Sequence, residues 1–254
     1  MNKKVLITGA SSGIGRAAAI QFAEKGFSLI LNGRRKELLE DLQKHLTETY
    51  KIEVIISVFD VRDKESVFES IGSLQDEWKQ IDILVNNAGL AAGRDLIDEG
   101  DIEDWETMMD TNVNGLLYIT KAVLPGMIKK KSGHIINIGS IAGDDMYERG
   151  NIYCASKAAV DAISRSMRID LLPHKIKVTN IKPGAAETEF AKVRFKGDEA
   201  KAAQTYAGFE PLTANDIADA IIYCATAPPN VCINELSLTC LAQANGNYLL
   251  KEKY

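Results

Sequence analysis

Val5-Leu-Ile-Thr-Gly-Ala-Ser-Ser-Gly-Ile-Gly15 is the stretch on which the fold turns. A short apolar run enters a turn with glycines at 9, 13 and 15, and a helical apolar pattern follows at Ala17-Ala-Ala-Ile-Gln-Phe-Ala23, ending near Gly26. The reading is strand, glycine-rich turn, helix. Gly9 allows the tight turn, Gly13 leaves no side chain between backbone and ligand, and Gly15 permits close helix–strand packing. The helix start offers amide donors to a pyrophosphate. A plain βα turn can use the same glycines; the strand and helix flanking them here favour nucleotide binding.

Phe27-Ser-Leu-Ile-Leu31 returns as a second strand, as a right-handed βαβ unit requires. It stops at Asn32-Gly-Arg-Arg35, where an acidic residue would grip the ribose 2′-hydroxyl of NAD and an arginine accommodates the 2′-phosphate of NADP. No Asp or Glu lies between Lys25 and Lys36, so NADP is expected, with Arg34 and Arg35 as the phosphate clamp. The plain alternative is a pair of solvated loop arginines.

Further out, a helix over Lys36 to Glu48 leads to a third strand, Ile52 to Phe59, which delivers Asp60 and Val61 to the ligand edge of a parallel sheet. There Asp60 could accept from an adenine amino group. Lys64 to Gln80 is amphipathic, and Ile81 to Val85 is a fourth strand before Asn86-Asn-Ala-Gly89. Strand and helix alternate, which defines an open parallel α/β sheet. Ile102 to Lys129 is an apolar helical series with an expected break at Pro125 and an unexplained polar interruption at Asp110-Thr-Asn-Val-Asn-Gly115. His134 to Ile138 is a fifth strand ending at Gly139-Ser140, and a helix over Ile152 to Leu172 carries Tyr153 and Lys157. Lys175 to Ile181 is a sixth strand, ending in Pro183-Gly184. Ala185 to Leu212 reads as a long irregular segment, expected to act as a lid. A helix over Asp216 to Cys224 and a last strand around Glu235 to Leu241 close the pattern.

The whole of 1–254 reads as one domain. Its 46% apolar and 26% charged residues suit a globular protein, and the net charge of -5 argues against nucleic-acid or acidic-membrane partners. No apolar run reaches about 18 residues, and the amino terminus lacks a signal-type apolar core. Cys154, Cys224, Cys232 and Cys240 suggest no disulfide framework, so a cytoplasmic setting is expected. His45, His134 and His174 are scattered, and no metal is expected.

Tyr153 and Lys157 stand one turn apart on a helix face. Among eight tyrosines, roughly one such pair arises by chance, and a lone pair is most often a solvated face. A nearby ammonium favours phenolate, and moving a tyrosine from about 10 to about 7 asks about 4 kcal/mol of its surroundings.

Taken together, Thr8-Gly-x-x-x-Gly-x-Gly15, Asn86-Asn-Ala-Gly89, Asn112, Ser140, Tyr153-x-x-x-Lys157 and Pro183-Gly184 resemble the short-chain dehydrogenase/reductase family over nearly the whole chain. The resemblance implies a Rossmann-type doubly wound parallel sheet of about seven strands with helices on both faces. It implies Tyr153 as general acid/base and Lys157 as the group that lowers its pKa and holds the nicotinamide ribose. Ser140 would hydrogen-bond the substrate oxygen, and Asn112 would anchor a water linking Lys157 to solvent. It adds Ser11, Ser12, Ile14, Asn87, Ala88, Gly89, Val61, Pro183, Gly184 and Thr188 to the cofactor envelope.

Glu103-Asp-Trp-Glu-Thr-Met108, Gly133-His-Ile-Ile-Asn-Ile-Gly-Ser140 and Val193-Arg-Phe-Lys-Gly-Asp198 are further similar to a group of NADP-dependent 3-hydroxy acid dehydrogenases, also described as serine or allo-threonine dehydrogenases. That implies small 3-hydroxy acids such as L-serine, allo-threonine and 3-hydroxypropionate, aldehyde acids such as malonic semialdehyde, and a homotetramer. The chain departs from the group at Asp144 to Gly150 and at Pro183 to Glu187, which should line the substrate pocket. A carboxylate substrate wants a guanidinium; Arg149 and Arg194 are the candidates, with Arg194 favoured. Two other readings stay open: a reductase of carrier-bound 3-ketoacyl groups or other carbonyls, and a catalytically silent NADP-binding redox sensor.

Overall fold

Successive strand residues point to opposite faces, and in this chain both faces are apolar. In the computed structural model, which describes residues 2–251, Val5 and Ile7 of β1 (Lys4–Ile7) enter one core and Leu6 the other, all fully buried. The chain continues through α1 (Gly13–Glu24), β2 (Ser28–Gly33), α2 (Lys36–Tyr50), β3 (Val54–Val58), α3 (Lys64–Gly72) and β4 (Ile83–Asn86). Then come α4 (Ile102–Met109), a π-helical segment (Asp110–Gly115), α5 (Leu116–Lys130), β5 (Gly133–Ile138), α6 (Asn151–Leu171) and β6 (Ile176–Pro183). Last are β7 (Ala186–Glu187), α7 (Phe190–Arg194), α8 (Glu199–Thr205), β8 (Leu212–Thr213), α9 (Ala214–Thr226) and β9 (Glu235–Leu238). Met1 and residues 252–254 of the span read as one domain lie outside the described residues.

Seven strands pair in the order β3-β2-β1-β4-β5-β6-β9, every pair parallel. Residues of α1, α2 and α9 pack on one face, around Phe22, Leu39, Leu42 and Ile221. Residues of α3, α5 and α6 pack on the other, around Val67, Ile119, Met127 and Leu171. This is the doubly wound sheet expected. The strand order reverses between β1 and β4, so their carboxyl ends diverge and leave a crevice there.

Three sequence expectations change. The amphipathic stretch Lys64 to Gln80 is helical only as far as Gly72, started by Asp63, whose side chain accepts from the Ser66 amide. Its remainder is turn, although Trp78 still reaches the second core. Pro125 does not break the helix, because α5 runs through it to Lys130. Pro125 is exposed, and the carbonyl one turn back that loses its donor belongs to exposed Lys121, on a face open to solvent. The segment Ala185 to Leu212 is not irregular: it holds α7 and α8, and its ends pair in parallel as Ala186 with Leu212 and Glu187 with Thr213. Helices this short depend on packing rather than on an amphipathic repeat, which is why the sequence pattern does not register them. Among the described residues, no helix is long and apolar enough to cross a membrane.

Candidate active site

The crevice at the switch point is a cleft of about 500 Å3. Its floor is the glycine-rich turn. Gly9 has φ +66°, and a side chain there would lie 2.9 Å from Asn87 Nδ2 and 3.1 Å from Ala88 Cα, so only glycine fits between the ends of β1 and β4. The Asn87 side chain donates to the Thr8 carbonyl at 2.8 Å and the Gly9 carbonyl at 3.2 Å. The Thr8 hydroxyl accepts the amides of Asn87 and Ala88, both at 3.0 Å. The turn is thereby fixed to the neighbouring strand. Ser11, Ser12, Gly13 and Ile14 line the cleft, whereas Gly15 sits behind it, packed on the turn.

Arg34 and Arg35 follow β2 and line the same cleft. Arg35 donates through Nε and Nη2 to Ser11 Oγ at 3.3 and 3.2 Å, and Nη2 pairs with Glu189 Oε2 at 2.9 Å. The guanidinium is therefore seated against the glycine turn rather than loose in solvent. Arg34 lies 3.7 Å from Asp60. Asp60 and Val61 also line the cleft, but both Asp60 oxygens accept from the Arg62 guanidinium, one at 2.7 Å. Burial pushes the Asp60 carboxyl up, and the bonds and charge of Arg62 outweigh it and hold the group below its ordinary value. An adenine amino group would share this acceptor with Arg62.

The polar interruption in the long helical series is the π-helical turn. Widening the helix brings buried Asn112 to the Leu90 backbone, where Oδ1 accepts from the amide and Nδ2 donates to the carbonyl, each at 2.8 Å; Nδ2 also donates to Ser156 Oγ at 2.9 Å. Gly115 meets Val61 so closely that a side chain would lie 2.8 Å from its Cγ2. Asn112 stands behind the Gly89 wall, in which Lys157 Nζ also lies close.

Ser140, Tyr153 and Lys157 meet at the end of β5. The Ser140 hydroxyl accepts from the Ala142 amide at 3.1 Å and donates to the Pro183 carbonyl at 3.3 Å, beside the Tyr153 phenol in the same cleft. Lys157 Nζ donates to the Ile138 carbonyl at 2.8 Å and lies 5.9 Å from the centroid of the Tyr153 ring. Burial brings the Lys157 amine down to about 8. Burial also holds the Tyr153 phenol well above its ordinary value, with Ser140 and Arg194 opposing it. This runs against the expectation of a phenol depressed by Lys157: burial dominates, and the Lys157 ammonium donates a hydrogen bond to a backbone carbonyl.

Thr188, Phe190 and Arg194 roof the cleft. The Phe190 ring stacks edge-on to Tyr153 with centroids 5.5 Å apart. The Arg194 guanidinium lies 5.8 Å from the Tyr153 ring and 5.6 Å from that of Tyr147; Nη1 donates to Tyr147 Oη at 2.9 Å and Nε to the Gly93 carbonyl at 3.3 Å. Arg149 is held in the left-handed region at φ 62° and lines only a small adjoining pocket, so of the two candidates Arg194 is the one that lines the main cleft with Tyr153. Pro183, Gly184, Asn87, Ala88 and Gly89 complete the wall. Sequence reasoning missed Arg94, Tyr206, Glu189 and Gln243, which also line it, and gave Tyr147 no role. Only Tyr147 carried a signal, a tyrosine shortly before the Tyr153 helix.

A glycine turn at a switch point, opening onto a serine, a buried phenol and a buried ammonium, defines a nucleotide-binding site joined to a proton-transfer site. Residues 3–199 match the family described as short chain dehydrogenase. The NADP-dependent 3-hydroxy acid dehydrogenase of Salmonella typhi is 46% identical over 241 residues, 94% of this chain and 96% of that protein. Sulfoacetaldehyde reductase 2 of Chromohalobacter salexigens is 44% identical over 245 residues, 96% of each. Among solved structures, the closed form of serine dehydrogenase complexed with NADP+ superposes with a TM-score of 0.91 at 43% identity, covering 98% of this chain and all of that one. The chain belongs to the short chain dehydrogenase family.

Proposed function

We propose that this protein is an NADP-dependent oxidoreductase that moves a hydride between NADP(H) and a small 3-hydroxy acid or the matching aldehyde acid. The observation that carries the reading is the Arg194 guanidinium held over the ring of Tyr153 inside the cleft. A cation there seats an acid group beside the proton-transfer residue. The relatives' names support it, because a 3-hydroxy acid and sulfoacetaldehyde both carry an acid group one carbon away from the carbon that is oxidised or reduced.

The cofactor fits the residues present. Gly9, Gly13 and the start of α1 cradle a pyrophosphate, while Arg34, Arg35 and Ser11 form a seat for a 2′-phosphate with no carboxylate in β2 to oppose it. When bound, NADP(H) supplies or accepts the hydride. The Tyr153 phenol gives a proton to the carbonyl oxygen in reduction and takes it back from the hydroxyl in oxidation. Ser140 turns its one proton from the Pro183 carbonyl to the same oxygen, and the Lys157 ammonium would hold the ribose and offset charge developing on the phenol. Asn112 fixes the Leu90 loop behind them. A silent sensor would not need these groups assembled around one pocket.

The same reading takes the chain as one domain with a lid over 185–212, acting in the cytoplasm as a homotetramer. Four free cysteines suit a reducing compartment, and exposed Ile169, Leu172 and Tyr223 suit burial between subunits. The test is an NADP-linked rate screen over L-serine, allo-threonine, 3-hydroxypropionate, 3-hydroxyisobutyrate, malonic semialdehyde and sulfoacetaldehyde, with NAD in parallel. Turnover of at least one acid and a clear preference for NADP are expected; equal kcat/KM with NAD would refute the arginine seat. Turnover only with neutral carbonyls would refute the acid.

A further inference from the structure

Lys182 is a cation almost shut off from water, its side chain 5% exposed, at the end of β6 next to Pro183. Its Nζ lies 2.9 Å from Asp144, 3.0 Å from Glu235 and 3.5 Å from Asp161, carboxylates from three separate segments. Glu235 and Asp161 have other cations. Arg165 and Arg168 hold Glu235 at 3.1 Å each, and Arg165 holds Asp161 at 3.0 Å. Lys182 is the cation that the structure pairs with Asp144.

Asp144 closes the short turn that begins at Ser140: the Gly143 amide donates to the Ser140 carbonyl and the Asp144 amide to that of Ile141, both at 3.0 Å. The Ser140 hydroxyl, in turn, is suspended between the Ala142 amide and the Pro183 carbonyl. One of these partners lies two residues from Asp144 and the other is adjacent to Lys182. The Lys182–Asp144 ion pair thus joins the two backbone strips that aim the hydroxyl. We propose that Lys182, acting through Asp144, is a positioning residue for the reaction, setting the gap between the Ser140 turn and the Pro183 carbonyl and so the direction in which Ser140 donates. This rests on the reading of Ser140 as donor to the substrate oxygen.

The experiment compares Ser140→Ala, Asp144→Ala, Glu235→Gln, Lys182→Met and the Lys182→Met/Asp144→Ala double variant, using NADPH and the fastest aldehyde acid of the screen. Misaiming a donor by a fraction of an ångström lowers kcat roughly tenfold while leaving cofactor binding alone. Asp144→Ala should therefore lower kcat about tenfold with the KM for NADPH within about twofold. Lys182→Met should do the same, and the double variant should be no slower than either single change. Glu235→Gln removes another Lys182 partner without touching the turn, so it should lower Tm but leave kcat within about twofold. If Lys182→Met fails to fold, half-exposed Asp144 still decides the matter. Wild-type kcat in Asp144→Ala, or an equal loss in Glu235→Gln, overturns the proposal. An unchanged kcat in Ser140→Ala would instead sink the reading of Ser140 on which it stands.

Discussion

Burial keeps the proton on Tyr153, and a neutral phenol is the form that can donate to a carbonyl. Tyr153→Phe should lower turnover by at least about a hundredfold, the low end for a general acid. The Kd for NADPH, followed by its fluorescence, should stay within about twofold, since the lost hydroxyl faces the substrate. Lys157 gives the pH dependence. Its folded-state pKa of about 8 lies below the ordinary amine value of 10.5, so the charge is present below about 8 and is lost as pH rises through it. For the free enzyme, kcat/KM for NADPH in the reduction direction should be level up to about pH 8 and fall above it. A profile level to pH 10 would contradict this. Ser140, Tyr153 and Lys157 were legible through the order of motifs along the whole chain that carries the family resemblance, whereas the Tyr153–Lys157 spacing alone was not enough. The sense of the Tyr153 shift was not, because spacing displays a neighbouring charge but not how much water the fold removes.

At the scale of elements, the anomaly at Asp110 to Gly115 was visible as polarity in a helical pattern, and the π turn gives it a cause in the reach of Asn112 to Leu90. Pro125 was the opposite case, a breaker by rule that an exposed helix face tolerates. The segment 185–212 was legible as a long connection but not as structure, since helices of five and seven residues carry no full amphipathic repeat. Arg94 and Gln243 reach the cleft only because loops distant in sequence fold against one another, which no local pattern records. Arg194 on α7 was caught through a motif. Arg194→Ala should raise the KM for an aldehyde acid about tenfold or more, the worth of a charge-assisted hydrogen bond, with little change in the KM for NADPH. An unchanged acid KM in steady-state assays would assign the acid group elsewhere.

Across the whole molecule, stability should carry an acid limb owed partly to His134. The ring is buried between β5 and β6, with Nε2 2.8 Å from Thr179 Oγ1. That hydroxyl donates to the Ile233 carbonyl, so Nε2 carries the hydrogen, and Nδ1 has no partner among the described residues. Burial drives the pKa down to about 3 from an ordinary 6.5. Between those values the unfolded chain binds a proton that the folded chain refuses, so stability is full above about 6.5 and falls as pH drops toward 3. Urea unfolding at pH 7 and pH 5 should show the loss, and His134→Phe should shrink the difference between them. Glu189 pairs with Arg35, and five residues later Arg194 lies over the Tyr153 ring. If Arg35 seats the 2′-phosphate and Arg194 the acid group, as proposed, one short helix shelters both, and neither ligand should leave without loosening the other's cover. Opening should then share with hydride transfer in pacing the cycle. Thickening the solvent with sucrose should slow kcat in part, and a kcat indifferent to sucrose would mean that the two ends of the cleft open independently.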